Sequence, residues 1–512
     1  MKYDRQTHAA AILLALLCAA GSAVGCSDAP DAQTSVVTDA VTTADTVVTE
    51  AVDNAYGRAG VRDNLPQTRD FGGQVVRVLS RSADYDTHIE FLAEESTGDV
   101  VQDAVYQRNL TVSDRLNLTM EVIEVDQTRH EDSGVNDLVR KSVTAGSDDY
   151  DLVGNHMSGI TKQITNNYFT DLRTLDHIDF SQPWWNQSYI ESVSIDGKTY
   201  MCSGELAQSI ISGTYVLFFN KNLWATSFDD NLYDIVLDGT WTWDRLGEFC
   251  KGYYQDLNGD GTADENDRWG YVHQHNAVVS DAIAVSFDLT FTEYNESAGI
   301  YEWALENERT AAFLDTMKTF LHTHDSTFIM PSLPNGGDVE YREMFMNDHM
   351  LFMANMLSVT ENLRDMESDY GILPLPKYDE AQEDYHTVPH NGFTVFAIPT
   401  TCSVTDVMGA FLEAMSAESY RTVTPAYYDT ALKVKYARDD QAGAMLDLCT
   451  GGVSLDFAYL FNAYIGNSPA SLFREVINTS SAIGKGMSTI AGKEAIFKKK
   501  IDALFEAYRD MD

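Results

Sequence analysis

Hydrophobic positions along the chain change period in a regular order. Val75-Val76-Arg77-Val78-Leu79 is strand-like and runs into the polar turn Ser80-Arg81-Ser82. From Val100 the apolar positions Val101, Ala104, Val105, Val112 and Leu116 fall at helical spacing. A strand around Met120 to Val125, a helix around Val135 to Val143 and a third strand, Tyr150-Asp151-Leu152-Val153, follow, the last ending at Gly154-Asn155-His156. Strands alternating with helices predict an α/β fold with a parallel, doubly wound sheet. In such sheets ligands sit beyond the carboxyl ends of the strands, which singles out Ser80, Arg81, Asn155 and His156 against the alternative of solvated loop residues. No partner that would make His156 a catalytic or metal-binding group is identifiable in the sequence.

The pattern then changes. Gly213-Thr214-Tyr215-Val216-Leu217-Phe218-Phe219-Asn220-Lys221 is an apolar, aromatic run whose length and Val/Tyr/Phe content fit a strand buried on both faces. A Gly/Ser-marked loop, Ser203-Gly204 to Ser212-Gly213, precedes it, and the run reads as a crossing between two lobes or as an ordinary core strand. Ser212 and Thr214 at its entry are candidate ligand contacts. Upstream, Pro183-Trp184-Trp185-Asn186 places neighbouring aromatics in a loop: Trp184 and Trp185 either stack on a sugar ring or plug the surface of a lobe. Downstream, Thr242-Trp243-Asp244 opens a helix with Thr242 as N-cap and Asp244 in the positive first turn, which makes Trp241 and Trp243 packing residues. Helical patterns predominate from Asp281 to His324, and Met350-Leu351-Phe352-Met353-Ala354 is a buried strand ending at Asn355 to Ser358. Ile496, Phe497, Ile501, Leu504, Phe505 and Tyr508 mark an amphipathic terminal helix.

One stretch has the spacing of a calcium loop, running from Asp256 to Asp267. Positions 1, 3 and 5 are Asp256, Asn258 and Asp260, and position 6 is Gly261 for the sharp turn. Position 7, Thr262, offers a backbone carbonyl, and positions 9 and 12 are Asp264 and Asp267. A hard cation of this size takes six to eight oxygens, and alternate side chains in a tight loop deliver them locally. Two departures matter: position 12 is Asp rather than Glu, and Trp269-Gly270-Tyr271-Val272 reads as a strand where a second helix would follow. The expectation is a lone structural Ca2+ site, against an Asp/Asn/Gly turn without metal.

Composition narrows the picture. A chain of 512 residues, 44% hydrophobic, forms more than one lobe, because single cores stop growing near roughly 250 to 300 residues. The net charge of -43 repels phosphate backbones and anionic headgroups, which argues against nucleic-acid binding. Lys2 and Arg5, an apolar Ala9 to Ala20 segment and the small residues up to Ala23-Val24-Gly25-Cys26 read as a secretory signal, residues 1–25. The last four resemble a bacterial lipobox, with Ala23 where Leu is usual, so that Cys26 is expected to carry a lipid or else to remain a spare thiol. Ser27 to Gly60 has no Leu, Ile, Phe or Trp; with Cys26 it reads as a lipidated, disordered tether, 26–66, and folding is expected to begin near Gln67. Cys202, Cys250, Cys402 and Cys449 are too scattered for a metal site and are expected to be buried thiols, with one disulfide as the alternative.

Several segments together resemble the extracellular solute-binding proteins of ABC transporters, family 1, sugar type. They are "DAVYQRNLTVSDRLN" (103–117), "YVLFFNKNLW" followed by "GTWTWDRL", "DYGILPLPKYDEAQEDYHTVPHNGFTVFAIP" (369–399) and "AESYRTVTPAYYDTALKVKYARD" (417–439). The resemblance implies a two-lobed, periplasmic-binding-protein-like (type II) fold with two crossing strands at the hinge. Lobe 1 would be 67–212 plus 387–424, and lobe 2 would be 213–386 plus 425–512. It further implies that the end of the 350–354 strand faces the cleft, making Asn355 and Ser358 the second-lobe candidates. His390 and Asn391 either touch ligand or sit in the hinge, and Tyr427-Tyr428 either edges the cleft or packs a helix face. The implied function is capture of a small solute, a mono- or oligosaccharide, by a monomeric lipid-anchored protein that delivers it to an ABC permease. Rivals from other classes are an extracellular glycoside hydrolase and a carbohydrate-binding adhesin. No GxSxG, HExxH or Walker pattern is present.

Overall fold

The protein is described by a computed structural model covering residues 57–66, 68–81, 90–91, 93, 95–125, 133–275, 277–333, 336–433, 441–465 and 469–511. The expected signal, Cys26 and most of the expected tether lie outside the described residues. Among the described residues eleven strands are β1 Gln74–Arg81, β2 Leu118–Val125, β3 Leu152–His156, β4 Tyr215–Asn220, β5 Trp269–His273, β6 Thr292–Asn295, β7 Ile300–Trp303, β8 Thr327–Ile329, β9 Met350–Met356, β10 Tyr370–Leu373 and β11 Thr394–Ala397.

Two sheets organise nine of them, and β6 and β7 pair only with each other. The first has the order β11-β3-β1-β2, and the second β10-β4-β9-β5-β8. In the first, β1 runs parallel to both β2 and β3, as the strand-helix alternation predicts. The helix Val100–Leu116 is the β1–β2 crossover and Ser133–Ala145 the β2–β3 crossover. β11 returns from far along the chain and pairs antiparallel with β3, Thr394 opposite His156. In the second sheet every residue of β4 is buried, but its neighbours β9 and β10 are both antiparallel. Its continuous apolar run therefore reflects burial on both faces rather than a parallel environment.

The polypeptide passes between the sheets at residues 204–214 and 384–393, and these passages lie against each other. Thr214 bridges Pro389, the Tyr215 N–H donates to the Val388 carbonyl at 3.2 Å, and the His390 N–H donates to the Gly213 carbonyl at 2.8 Å. A third passage was not expected. Val453 bridges Thr387 in parallel, with the Thr387 N–H donating to Gly452 O and the Ser454 N–H to Thr387 O, both at 2.9 Å.

Three further departures have local causes. The helical stretch foreseen from Asp281 is interrupted by the β6–β7 hairpin, in which Asn295 and Gly299 close the turn. The folded body begins before Gln67: Leu65 is buried, and Asp63 accepts from both terminal nitrogens of Arg115 at 2.7 Å. On the terminal helix Glu494–Arg509, Phe497, Ile501, Leu504, Phe505 and Tyr508 are buried as the stripe predicts, whereas Ile496 is exposed. Cys202, Cys250, Cys402 and Cys449 are all buried free thiols. Among the described residues no helix is long and apolar enough to cross a membrane.

Candidate ligand-binding site

Because β1 and β3 are parallel, their carboxyl ends open on one edge of the first sheet, and antiparallel β11 starts there. The buried Arg81 guanidinium donates from Nη2 to the Gly392 carbonyl at 2.6 Å and to Thr394 Oγ1 at 3.0 Å, tying the end of β1 to the second passage. Ser80 is buried, its hydroxyl donating to the Arg81 carbonyl at 3.2 Å. Asn155 is also structural: its Nδ2 donates to Asn136 at 3.0 Å, and its Oδ1 accepts the His156 N–H at 2.8 Å. His156 caps the helix Met157–Gln163, Nδ1 accepting the Ser158 N–H at 3.0 Å. His390 accepts the Gly392 N–H on its own Nδ1 at 3.1 Å. In each ring Nδ1 is thus an acceptor, which leaves Nε2 as the ring's N–H position. The two rings flank Gly392: a Cβ there would lie 3.0 Å from His390 Nδ1 and 3.5 Å from His156 Nε2.

The second sheet supplies the other wall. Its parallel strands β5, β8 and β9 also end on one edge. Asn355 turns its Oδ1 back to accept the Met356 N–H at 2.8 Å, and Ser358 lies half-buried in the 3₁₀ turn Leu357–Asp365. The Leu357 N–H donates to the Thr214 carbonyl at 2.9 Å, and Thr214 Oγ1 donates to the Ile210 carbonyl at 2.8 Å. Ser212 is buried beside it, its hydroxyl without a hydrogen-bond partner among the described residues. Thus Arg81, Gly392, His390, Gly213, Thr214, Leu357 and Ser358 form one continuous path of contacts, from the strand ends of the first sheet across the passages to those of the second.

Sequence reasoning missed the end of β5. The strand-end rule that selects Ser80 and Arg81 also selects Gln274 and His275, once β5 is known to lie parallel to β9. Gln274 Nε2 donates to the Gly336 carbonyl at 2.9 Å and to Asp338. His273, one residue earlier, points inward, and burial pushes its pKa down to about 3, which keeps the ring neutral.

The tryptophan pair does not join this group. Trp184 and Trp185 are 0% and 2% exposed. Trp185 donates Nε1 to the buried Glu413 at 3.2 Å and meets Phe180 edge-on at 5.3 Å; Trp184 meets Tyr420 edge-on at 6.3 Å. Neither ring offers a face to a sugar in this conformation; an aromatic pair in a loop is here lobe packing. Tyr427 and Tyr428 are likewise buried, with the Tyr428 hydroxyl 2.6 Å from Thr450 Oγ1. Trp241 and Trp243 are core residues, their indole N–H groups bonded to Pro374 O and Ser286 Oγ, each at 3.0 Å.

A cavity of about 700 Å³ lies elsewhere, among Arg58, Glu205, Ile211, His386, Tyr420 and Val453. It touches Thr214 and the tryptophan loop but none of Arg81, His156, Asn355, Ser358 or His390. The strand-end group, rather than this cavity, is where the parallel strands of both sheets converge, and it is the candidate ligand site.

The Asp256 to Asp267 loop is an exposed series of Asx turns. Asp256 accepts the N–H groups of Gly259 and Gly261 at 2.7 and 3.0 Å, Asn258 that of Asp260 at 2.9 Å, and Asp260 that of Thr262 at 2.7 Å. Gly259 and Gly261 have φ of 73° and 74°, which side chains with a Cβ rarely adopt. Partial burial and the carboxylates of Asp267, Asp256 and Asp260 push the Tyr254 phenol up to about 12. One expected ligand is engaged otherwise: Asp267 is fully buried and accepts from Tyr254 OH at 2.9 Å and from the N–H groups of Leu257 and Asp264 at 3.2 Å. Among the described residues no three His, Cys, Asp or Glu side chains converge as a metal-holding group. Position 12 serves as the bracket of the loop.

No protein-family model matches the sequence, and no curated protein matches it. Solved structures do match. A cyclo/maltodextrin-binding protein complexed with maltotetraose superposes with a TM-score of 0.54 at 13% identity, over 84% of this chain and 97% of the other. The chain has the two-lobed fold of the ABC-transporter substrate-binding proteins. A sugar transporter protein from Rhizobium etli in an open conformation gives a TM-score of 0.51 at 14% identity, covering 83% of this chain and 99% of that one. An ABC substrate-binding protein from Listeria monocytogenes in complex with cycloalternan gives 0.50 at 13% identity, over 83% and 99%. In terms of this fold the two sheets are the lobe cores, and the passages that carry Thr214 and His390 are the hinge.

Proposed function

We propose that this protein is an extracellular, lipid-anchored solute-binding protein that captures a mono- or oligosaccharide for an ABC permease. The observation that carries the reading is the unbroken path from Arg81 to Ser358, which joins the strand ends of both lobes through the hinge. A ligand seated there touches both lobes only when they close, so its differential affinity for the closed form shifts the population. Hydroxyl-rich ligands suit the polar groups that border the path: the His156 and His390 rings, the Ser358 hydroxyl and the Asn391 amide. The substrate-binding proteins with this fold include ones complexed with maltotetraose and with cycloalternan, which makes α-linked oligosaccharides the first probes. Anchoring would run through Cys26.

The test is thermal denaturation of the full chain with glucose, maltotriose, maltotetraose and cycloalternan, with the sugars recovered afterwards. At 100 times the dissociation constant a ligand should add about 2.7 kcal/mol of stability. A stabilised protein with intact sugar supports capture. Cleaved sugar points to the hydrolase, and no response to any saccharide rejects the proposal. We further propose that the loop holds a structural Ca2+ through Asp256, Asn258, Asp260, the Thr262 carbonyl and Asp264, with Asp267 exchanging its amide partners for the ion.

A further inference from the structure

The cavity away from the strand-end site contains an arginine that ligand capture does not use. Arg58 belongs to an arm, residues 57–66, that is fixed to the first lobe. Asp63 in that arm pairs with Arg115, and Arg421 donates to the Val61 carbonyl at 3.1 Å. From this arm the Arg58 side chain, 13% exposed, reaches the hinge. Its Nη1 donates to Glu205 Oε1 at 2.9 Å, its Nη2 lies 4.0 Å from Asp447, and its guanidinium sits 4.5 Å over the Tyr420 ring and 5.4 Å from that of Tyr428.

These partners belong to different parts of the hinge. Glu205 opens the first passage and is held to the tryptophan loop, its N–H donating to Trp184 O at 2.8 Å. Asp447 lies on the helix Ala442–Gly451, which packs on β10 of the second sheet and runs directly into the third passage. A side chain holding both resists any rotation that separates them. The cavity wall and the strand-end group border the same segments, 204–214 and 384–392, and meet at Thr214, but the wall includes none of Arg81, His156, His390 or Ser358.

We propose that the cavity lies behind the hinge, so that closing the strand-end gap widens it, and that Arg58 is a positioning residue for lobe closure, a latch between the first passage and the helix feeding the third that favours the conformation described here over the closed one. The proposal rests on the capture reading above for its link to affinity, but not for its structural content. Closing on a ligand stretches the contact between Arg58 and Asp447, so weakening that contact raises the closed fraction and tightens apparent binding.

The test uses the full chain with Arg58→Gln, Arg58→Lys and Asp447→Asn, measuring backbone hydrogen exchange without ligand and binding of maltotriose. In Arg58→Gln and Asp447→Asn, exchange should rise at residues 204–214 and 450–455 and stay unchanged at the calcium-type loop. Maltotriose should bind up to about fivefold tighter, the limit for a half-exposed ion pair. Arg58→Lys, which keeps the charge but loses the planar stack on Tyr420, should fall between Arg58→Gln and wild type. If Arg58→Gln lowers the melting temperature, Asp447→Asn decides, because that half-exposed side chain can be changed without opening the core. Unchanged exchange at both segments in Asp447→Asn, or weaker maltotriose binding by it, overturns the latch. If wild type binds no saccharide, the capture reading fails while the exchange measurement still decides the latch.

Discussion

Replacing Glu413 by Gln should flatten the pH dependence of stability. Glu413 lies on the helix Thr405–Glu418 and is 0% exposed. Its Oε2 accepts from Trp185 Nε1 at 3.2 Å and from the Asp179 N–H at 3.3 Å, with no ion pair to a cation among the described residues. Burial, reinforced by the Asp179 charge, outweighs these donors and pushes the carboxyl from 4.5 up to about 7. The folded state therefore holds this proton more tightly than the unfolded chain. The resulting penalty is absent below pH 4.5, grows as pH rises and is complete above pH 7. A rise from 4.5 to about 7 corresponds to about 3 kcal/mol, at about 1.4 kcal/mol per pH unit. Glutamine keeps an acceptor for Trp185 and Asp179 but has nothing to ionise. Urea unfolding of wild type and Glu413→Gln at intervals from pH 4 to pH 8 isolates the contribution, since the other acids titrate in both. Wild type should lose about 3 kcal/mol more than the variant across this range. Parallel curves would refute the reasoning, because Glu413 would then titrate alike in the folded and unfolded chains.

Asp456 is a second carboxyl lifted by burial, to about 6, although it accepts from the N–H groups of Phe291, Thr292 and Ala458 and from the Thr292 hydroxyl at 2.7 to 3.1 Å. Asp456→Asn turns an amide N–H₂ toward at least one of these donors and should cost about 1–3 kcal/mol near pH 7, read from urea midpoints. A Cβ at Gly204 collides with the Trp184 carbonyl oxygen and approaches the Trp185 Cα to 3.0 Å. Gly204→Ala should therefore destabilise by about 1–3 kcal/mol and speed hydrogen exchange of the first passage. Chelation of calcium should lower the melting temperature of wild type and leave that of Asp256→Asn/Asp260→Asn unchanged; equal melting of wild type with and without chelator removes the ion from the account.

What the sequence by itself determined is what depends on neighbours along the chain. Alternation predicted β1, β2 and β3 as parallel strands with helical crossovers. Hydroxyl and apolar spacing predicted the helix Trp243–Cys250, where Thr242 Oγ1 accepts the Arg245 N–H at 3.2 Å. Helical periodicity marked the buried face of Glu494–Arg509, apart from Ile496, which has nothing packed over it. Strand ends likewise pointed to Arg81 and His156. Tertiary structure decided what each buried face lies against. Trp184 and Trp185 look alike as cleft platforms or as core; the buried carboxylate of Glu413 draws Trp185 inward. Asp267 matches a ligand position by count, but the Tyr254 hydroxyl and two backbone amides claim its oxygens. The third passage at Gly452 to Ser454 has no periodicity to reveal it, because its hydrogen bonds go to Thr387, over sixty residues away. Arg58 reads as part of a polar tether until Glu205 and two tyrosine rings, contributed by distant segments, surround it. A residue's period records that one side is covered; the identity of the cover is set by long-range contacts that leave no local pattern.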